Sequence, residues 1–171
     1  MAKLDTTLHA DHLALPIFDA AATLEFCADI LQLPLVEVHS GDDWGGKEWL
    51  MMIFGLGDSR QVACIAFDGA SKPAKDGLPR DARHFAFAVS TLAALKSWKA
   101  KLDAANVEYW EEDHGAQRSI YFSDPNDIVW EITAPPSKSA SKIDKAARDR
   151  AEKWIAEHEK SSSRHQRRTP A

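Results

Sequence analysis

His12, His84 and Glu131 are the residues whose types and placement best suit chemistry. Each lies in a short run with the two-residue alternation of a β-strand, on the face opposite the apolar stripe. In His9 to Ile17, the side chains of Leu13, Leu15 and Ile17 share one face, while His12 and Ala14 take the other. In Arg83 to Val89, Phe85, Phe87 and Val89 oppose His84, Ala86 and Ala88. Glu131 stands between Trp130 and Ile132, where a carboxylate is costly unless paired or bound to a metal. Two neutral imidazoles and one carboxylate leave open positions on a six-coordinate ion. This is the facial triad associated with Fe(II), and it also accommodates Mn(II), Zn(II) or Ni(II). One histidine on an apolar strand is ordinarily a satisfied core residue. Two at matching positions of a repeat argue for ligands.

The repeat is visible along the chain. Each half reads as strand, helix and three further strands. In the first, Asp19 is placed to cap a helix from Ala20 to Leu31, which Pro34 ends, and strands follow at Leu35 to Ser40, Glu48 to Phe54 and Val62 to Phe67. In the second, Ser90 or Thr91 caps a helix reaching about Ala105, and strands follow at Val107 to Trp110, Arg118 to Phe122 and Ile128 to Thr133. Between the last two strands lies the turn Ser123-Asp124-Pro125-Asn126-Asp127. An offset of 72 residues pairs His12 with His84 and Phe26 with Trp98, whereas an offset of 67 pairs Val62 with Val129 and Cys64 with Glu131. The expected fold is therefore α+β: two tandem βαβββ units, about residues 8–68 and 82–134, in one domain over 1–136. The basic segment 137–171 follows, with a helix expected over Ser139 to Glu159 that is suited to clasping a partner subunit, and disorder from Ser161 onward.

Composition limits the function classes. The 171 residues are 44% hydrophobic and 27% charged, which suits one soluble globular domain. No apolar run approaches the ~20 residues that span a bilayer, and no signal peptide is recognisable at Met-Ala-Lys-Leu-Asp. Two cysteines, Cys27 and Cys64, form no disulfide framework and fit a reducing cytoplasm. The net charge of -5 conceals a tail from Ser137 with ten basic and five acidic residues. The preceding body is then strongly acidic, which argues against nucleic acid as its partner.

Three segments resemble a known family: Asp11-His12-Leu13-Ala14-Leu15, His84-Phe85-Ala86-Phe87, and the run from Ser119 through Tyr121-Phe122-Ser123-Asp124-Pro125 to Trp130-Glu131. Together with the duplicated βαβββ unit they look like the vicinal oxygen chelate superfamily, over roughly residues 8 to 136. That superfamily includes glyoxalase I, fosfomycin-resistance thiol transferases, bleomycin-binding proteins and extradiol ring-cleaving dioxygenases. The resemblance implies a cupped mixed sheet holding a divalent metal on His12, His84 and Glu131, with a small-molecule substrate that chelates it through neighbouring oxygens. A homodimer is the expected assembly, with the tail helix suited to clasping the partner subunit.

The spacing of His114, Ile120, Tyr121, Asp124, Pro125 and Glu131 is nearest to the extradiol pattern, with Fe(II) the favoured ion. His114 and Tyr121 are the matching catalytic residues, handling protons at an oxygenated, aromatic substrate. Asp127 stands where that pattern has a glycine, and His39 is the other candidate for a second acid-base. Toward glyoxalase I, the fourth-ligand position holds Cys64; toward the fosfomycin transferases, the expected lysine after Trp110 is Glu111 and the later arginine is Ala140. A lyase or thiol transferase is the second expectation. A metal-free binding protein like the bleomycin-resistance proteins is the third.

Overall fold

The computed structural model describes residues 10–75, 77–136 and 146–166, the last ten of these by backbone alone. Two compact units divide the chain, Met1–Ser137 and Lys138–Ala171. The first holds both halves of the repeat. Strand β1 (His12–Ile17) leads to helix α1 (Ala20–Leu24), then to β2 (Leu35–Trp44), β3 (Lys47–Gly55) and β4 (Gln61–Phe67). After a short 3-10 turn at Arg80–Ala82, β5 (His84–Ala88) leads to helix α2 (Leu92–Ala104), β6 (Tyr109–Asp113), β7 (Arg118–Ser123) and β8 (Val129–Ala134). Each half builds its own four-stranded mixed sheet, ordered β1-β4-β3-β2 and β5-β8-β7-β6. The first and last strands of each half run parallel.

Both helices start as the capping residues dictate. The Asp19 carboxylate accepts from the Ala22 N–H at 2.9 Å, and the Thr91 hydroxyl from Ala94 at 3.1 Å. The first helix is shorter than its periodicity suggests. From Glu25 to Ile30 it widens into a π-helix, closed by Leu31 N–H to Phe26 C=O at 2.8 Å. The chain then passes Gln32 in the left-handed region, φ 58°. Strand β2 runs on to Trp44 by absorbing irregularities between Leu35 and Glu37 and between Gly41 and Trp44. Strand β6 starts at Tyr109 rather than Val107 and runs on to Asp113.

Strand alternation sends one face of each sheet into a shared core. Leu15, Ile17, Phe54, Val62 and Cys64 of the first half meet Leu102, Ile120, Phe122, Trp130 and Ile132 of the second, with Phe26 packed against both Phe122 and Trp130. The turn before β8 ties the halves together by polar contacts. The Asn126 side-chain oxygen accepts from the Phe18 and Asp19 N–H groups at 2.7 and 3.1 Å, and its nitrogen donates to Thr23 Oγ1 at 2.8 Å. Asp124 holds the turn by accepting from the N–H groups of Asn126 and Ile128. Asp127 takes φ 66°, so the position expected to favour glycine is left-handed, and an aspartate occupies it.

The register corrects the repeat alignment at its end. His12 lies opposite Gln61 in β4, and His84 opposite Val129 in β8, so the two final strands match at an offset of 68, not 67. Ala63, not Cys64, is the counterpart of Glu131. Cys64 points into the core, as the two-residue period requires. In the second unit, helix α3 spans Ala147–Gln166. The expected helix residues 139–145 and the terminal 167–171 lie outside the described residues.

Candidate metal centre

The outer face of the second sheet gathers the polar side chains. Strand β5 supplies His84, β7 supplies Ser119 and Tyr121, and β8 supplies Glu131 and Thr133, all on the face away from the core. Glu131 and Tyr121 are direct cross-strand neighbours. Glu131 is 7% exposed, so its charge must be met locally. Ser119 Oγ donates to Glu131 Oε1 at 2.6 Å and lies 3.0 Å from the Thr133 hydroxyl, while Glu131 Oε2 faces His84 Nε2 at 3.0 Å.

The tautomer of His84 follows from its second contact. Nδ1 lies 2.7 Å from the Asp81 carbonyl oxygen, which can accept but not donate, so Nδ1 carries a hydrogen. In the neutral ring, Nε2 then presents a lone pair to the lone pairs of Glu131. Two acceptors at 3.0 Å repel unless a proton or a metal ion lies between them. A backbone carbonyl that accepts from Nδ1–H is a usual outer-shell partner of a metal-binding histidine and leaves Nε2 free to ligate. His84 and Glu131 therefore fit a divalent ion by donor chemistry.

His12 does not join them within the chain. Its Nδ1 contacts Asp11 Oδ2 at 2.8 Å and its side chain is 55% exposed. Among the described residues, no group of three His, Cys, Asp or Glu side chains is arranged to hold a metal ion. His12 and His84 nevertheless occupy matching positions on β1 and β5, each the edge strand of its sheet.

His114 and Tyr121 lie within hydrogen-bonding distance of each other. His114 follows β6 in a tight turn, with Gly115 left-handed at φ 77°, and its Nε2 reaches Tyr121 Oη at 3.0 Å. The edge of the His84 ring meets Tyr121 with centroids 5.4 Å apart. Burial first, then the Glu131 charge and a hydrogen bond to it, pushes the Tyr121 phenol up to about 12. Tyr121 thus stays a neutral donor through the physiological range. His39 is not part of this group; it pairs with Glu37 at 2.9 Å on exposed β2.

Residues beyond the sequence expectation complete the wall. Trp110 stacks on Tyr121 at 5.3 Å, and Arg80 lies over the Trp110 ring at 4.4 Å while donating to Ser123 Oγ at 3.0 Å. The 3-10 turn ahead of β5 delivers both Arg80 and the Asp81 carbonyl. Nothing in the types of Arg80 and Asp81 marked them. Their place within four residues of His84 was the available signal.

Comparisons with known proteins bear on this arrangement. The model of the Glyoxalase/Bleomycin resistance protein/Dioxygenase superfamily matches residues 9–132. No curated protein matches. Among solved structures, a glyoxylase/bleomycin resistance protein/dioxygenase domain from Frankia sp. EAN1pec is 17% identical with TM-score 0.62, covering 75% of this chain and 98% of that one. The fosfomycin resistance protein FosX from Listeria monocytogenes, complexed with Mn(II) and sulfate ion, is 16% identical with TM-score 0.57, covering 81% and 100%. Lactoylglutathione lyase from Agrobacterium tumefaciens is 20% identical with TM-score 0.54, covering 75% and 95%. At these identities the likeness is one of fold.

Proposed function

Since the chain belongs to the Glyoxalase/Bleomycin resistance protein/Dioxygenase superfamily, we propose that it is a cytoplasmic metal-dependent enzyme of the extradiol-dioxygenase type acting on a small oxygenated aromatic substrate. One observation carries the reading. Tyr121 joins the donor pair to a proton-handling pair, with its ring against His84 and its hydroxyl held by His114.

A divalent ion, Fe(II) or else Mn(II), Zn(II) or Ni(II), would be held by His84, Glu131 and His12 and would supply Lewis acidity toward adjacent substrate oxygens. The chain's own groups do the rest. Ser119 and the Asp81 carbonyl fix Glu131 and His84 so that Oε2 and Nε2 face one point. Tyr121 donates a hydrogen bond to a substrate oxygen, and His114 accepts the proton released as a phenolic group ionises.

The same reading includes a homodimer. Within one chain His12 stands apart from His84 and Glu131, and both histidine strands are sheet edges. A second copy supplies its His12 to complete three donors at each site.

Metal analysis of protein purified without added metal, followed by oxygen uptake with a panel of catechols, tests the proposal. The expected result is one divalent ion per chain, lost in His84→Ala, with oxygen consumed. Metal that survives His84→Ala refutes the triad. Thiol consumption with epoxides or ketoaldehydes, without oxygen uptake, reassigns the site to a transferase or lyase. Ligand binding without metal reassigns it to a binding protein.

A further inference from the structure

The core side of the second sheet contains a cavity that the metal centre does not use. It measures about 150 Å³ and is lined by apolar side chains of both halves, among them Leu31, Leu56, Phe87, Trp98, Phe122 and Trp130. Apolar space of this size admits a molecule with one ring or a short alkyl chain.

Two lining residues also hold a cation. Lys101 Nζ donates to the Leu31 carbonyl at 3.3 Å and to Gln32 Oε1 at 3.0 Å, and it sits 4.3 Å from the Trp98 ring centroid. These contacts use neutral acceptors and a π-face, and among the described residues no carboxylate forms an ion pair with Lys101. Burial draws its pKa below the ordinary lysine value. The positioning device is local. The π-helix turns Leu31 toward the cavity, and left-handed Gln32 brings its amide to the ammonium.

We propose that this cavity is a second binding site, for a small amphipathic carboxylate whose ring or chain enters between Trp98 and Trp130 and whose anionic head meets Lys101. An ammonium held beside an apolar cavity without a counter-charge complements such a ligand. A neutral molecule would gain the apolar contact alone. The site lies on the face of the sheet opposite His84 and Glu131, so it is independent of the metal centre.

Titration of the full chain with benzoate and hexanoate, against benzamide and hexanol, tests this by calorimetry and quenching of tryptophan fluorescence. The carboxylates should bind about tenfold tighter than their neutral partners, the worth of one charge-assisted hydrogen bond. Lys101→Met should abolish that preference while leaving neutral binding, and Lys101→Arg should retain it. Leu56→Trp, which fills the cavity, should remove binding of all four, and His84→Ala should leave binding unchanged. Equal affinity for charged and neutral probes overturns the proposal. So does a preference that survives Lys101→Met, or binding that is lost in His84→Ala or kept in Leu56→Trp.

Discussion

His84 and Glu131 face each other through two groups that each accept hydrogen bonds, at 3.0 Å, because the Asp81 carbonyl has already claimed the other ring nitrogen of His84. The contact holds a place for positive charge. Ser119 steadies the carboxylate from behind. Removing that hydroxyl in Ser119→Ala frees Glu131 Oε1 inside a buried site. Metal affinity should fall about 10- to 100-fold, as for other losses of a partner that orients a ligand. Competitive chelator titration measures it, and an unchanged affinity would remove Ser119 from the site.

Tyr121 links this pair to pH. Its folded-state pKa of about 12 lies above the ordinary phenol value of 10.0. The folded chain therefore holds this proton more tightly than the unfolded one. The associated stability is complete below the unfolded pKa and is lost as pH rises through the folded pKa. Denaturant midpoints should therefore fall between about pH 10 and 12, and Tyr121→Phe should remove that part of the slope. Ultraviolet titration of wild type against Tyr121→Phe should assign the late-ionising phenol to Tyr121.

Asn126 is a polar clasp between the halves. Asn126→Ala leaves the Phe18 and Asp19 N–H groups and the Thr23 hydroxyl without their partner. Loss of several part-buried hydrogen bonds should cost about 2–4 kcal/mol. Equilibrium urea unfolding reads this directly. A cost within experimental scatter would show that water replaces the amide.

The proposed second copy is tested by mixing. Chains carrying His12→Ala and chains carrying His84→Ala should each be inactive alone. Co-refolded, they form mixed dimers with one intact site apiece, which returns about a quarter of wild-type activity. If His12 serves its own chain, mixing restores nothing.

The architecture was legible because duplicated alternation is a strong signal. Leu13, Leu15 and Ile17 against His12 define β1, and Phe85 and Phe87 against His84 define β5, by the same two-residue rule. The first helix was less legible. Its apolar spacing continues through Leu31, and the shift from α to π geometry leaves no mark on residue type. The misaligned repeat has a similar cause. Val62 and Val129 are the same residue and invite pairing, while the register that separates them is decided by the pairing of β4 with β1 and of β8 with β5. At the site, side chains were readable and backbone was not. His84, Tyr121, His114 and Glu131 were marked by type, whereas the Asp81 carbonyl has no signature in a sequence.

On the proposed triad, Ala63 would set the electrical character of the centre. A fully duplicated site would offer two histidines and two carboxylates, enough to neutralise a divalent ion completely. With alanine opposite Glu131 in the repeat, a divalent ion on the proposed triad of His12, His84 and Glu131 would keep a formal charge of +1. Such a centre would match a singly ionised ligand and would favour loss of one proton from a substrate with two neighbouring hydroxyls. The methyl group of Ala63 leaves that last unit of charge for the substrate to balance.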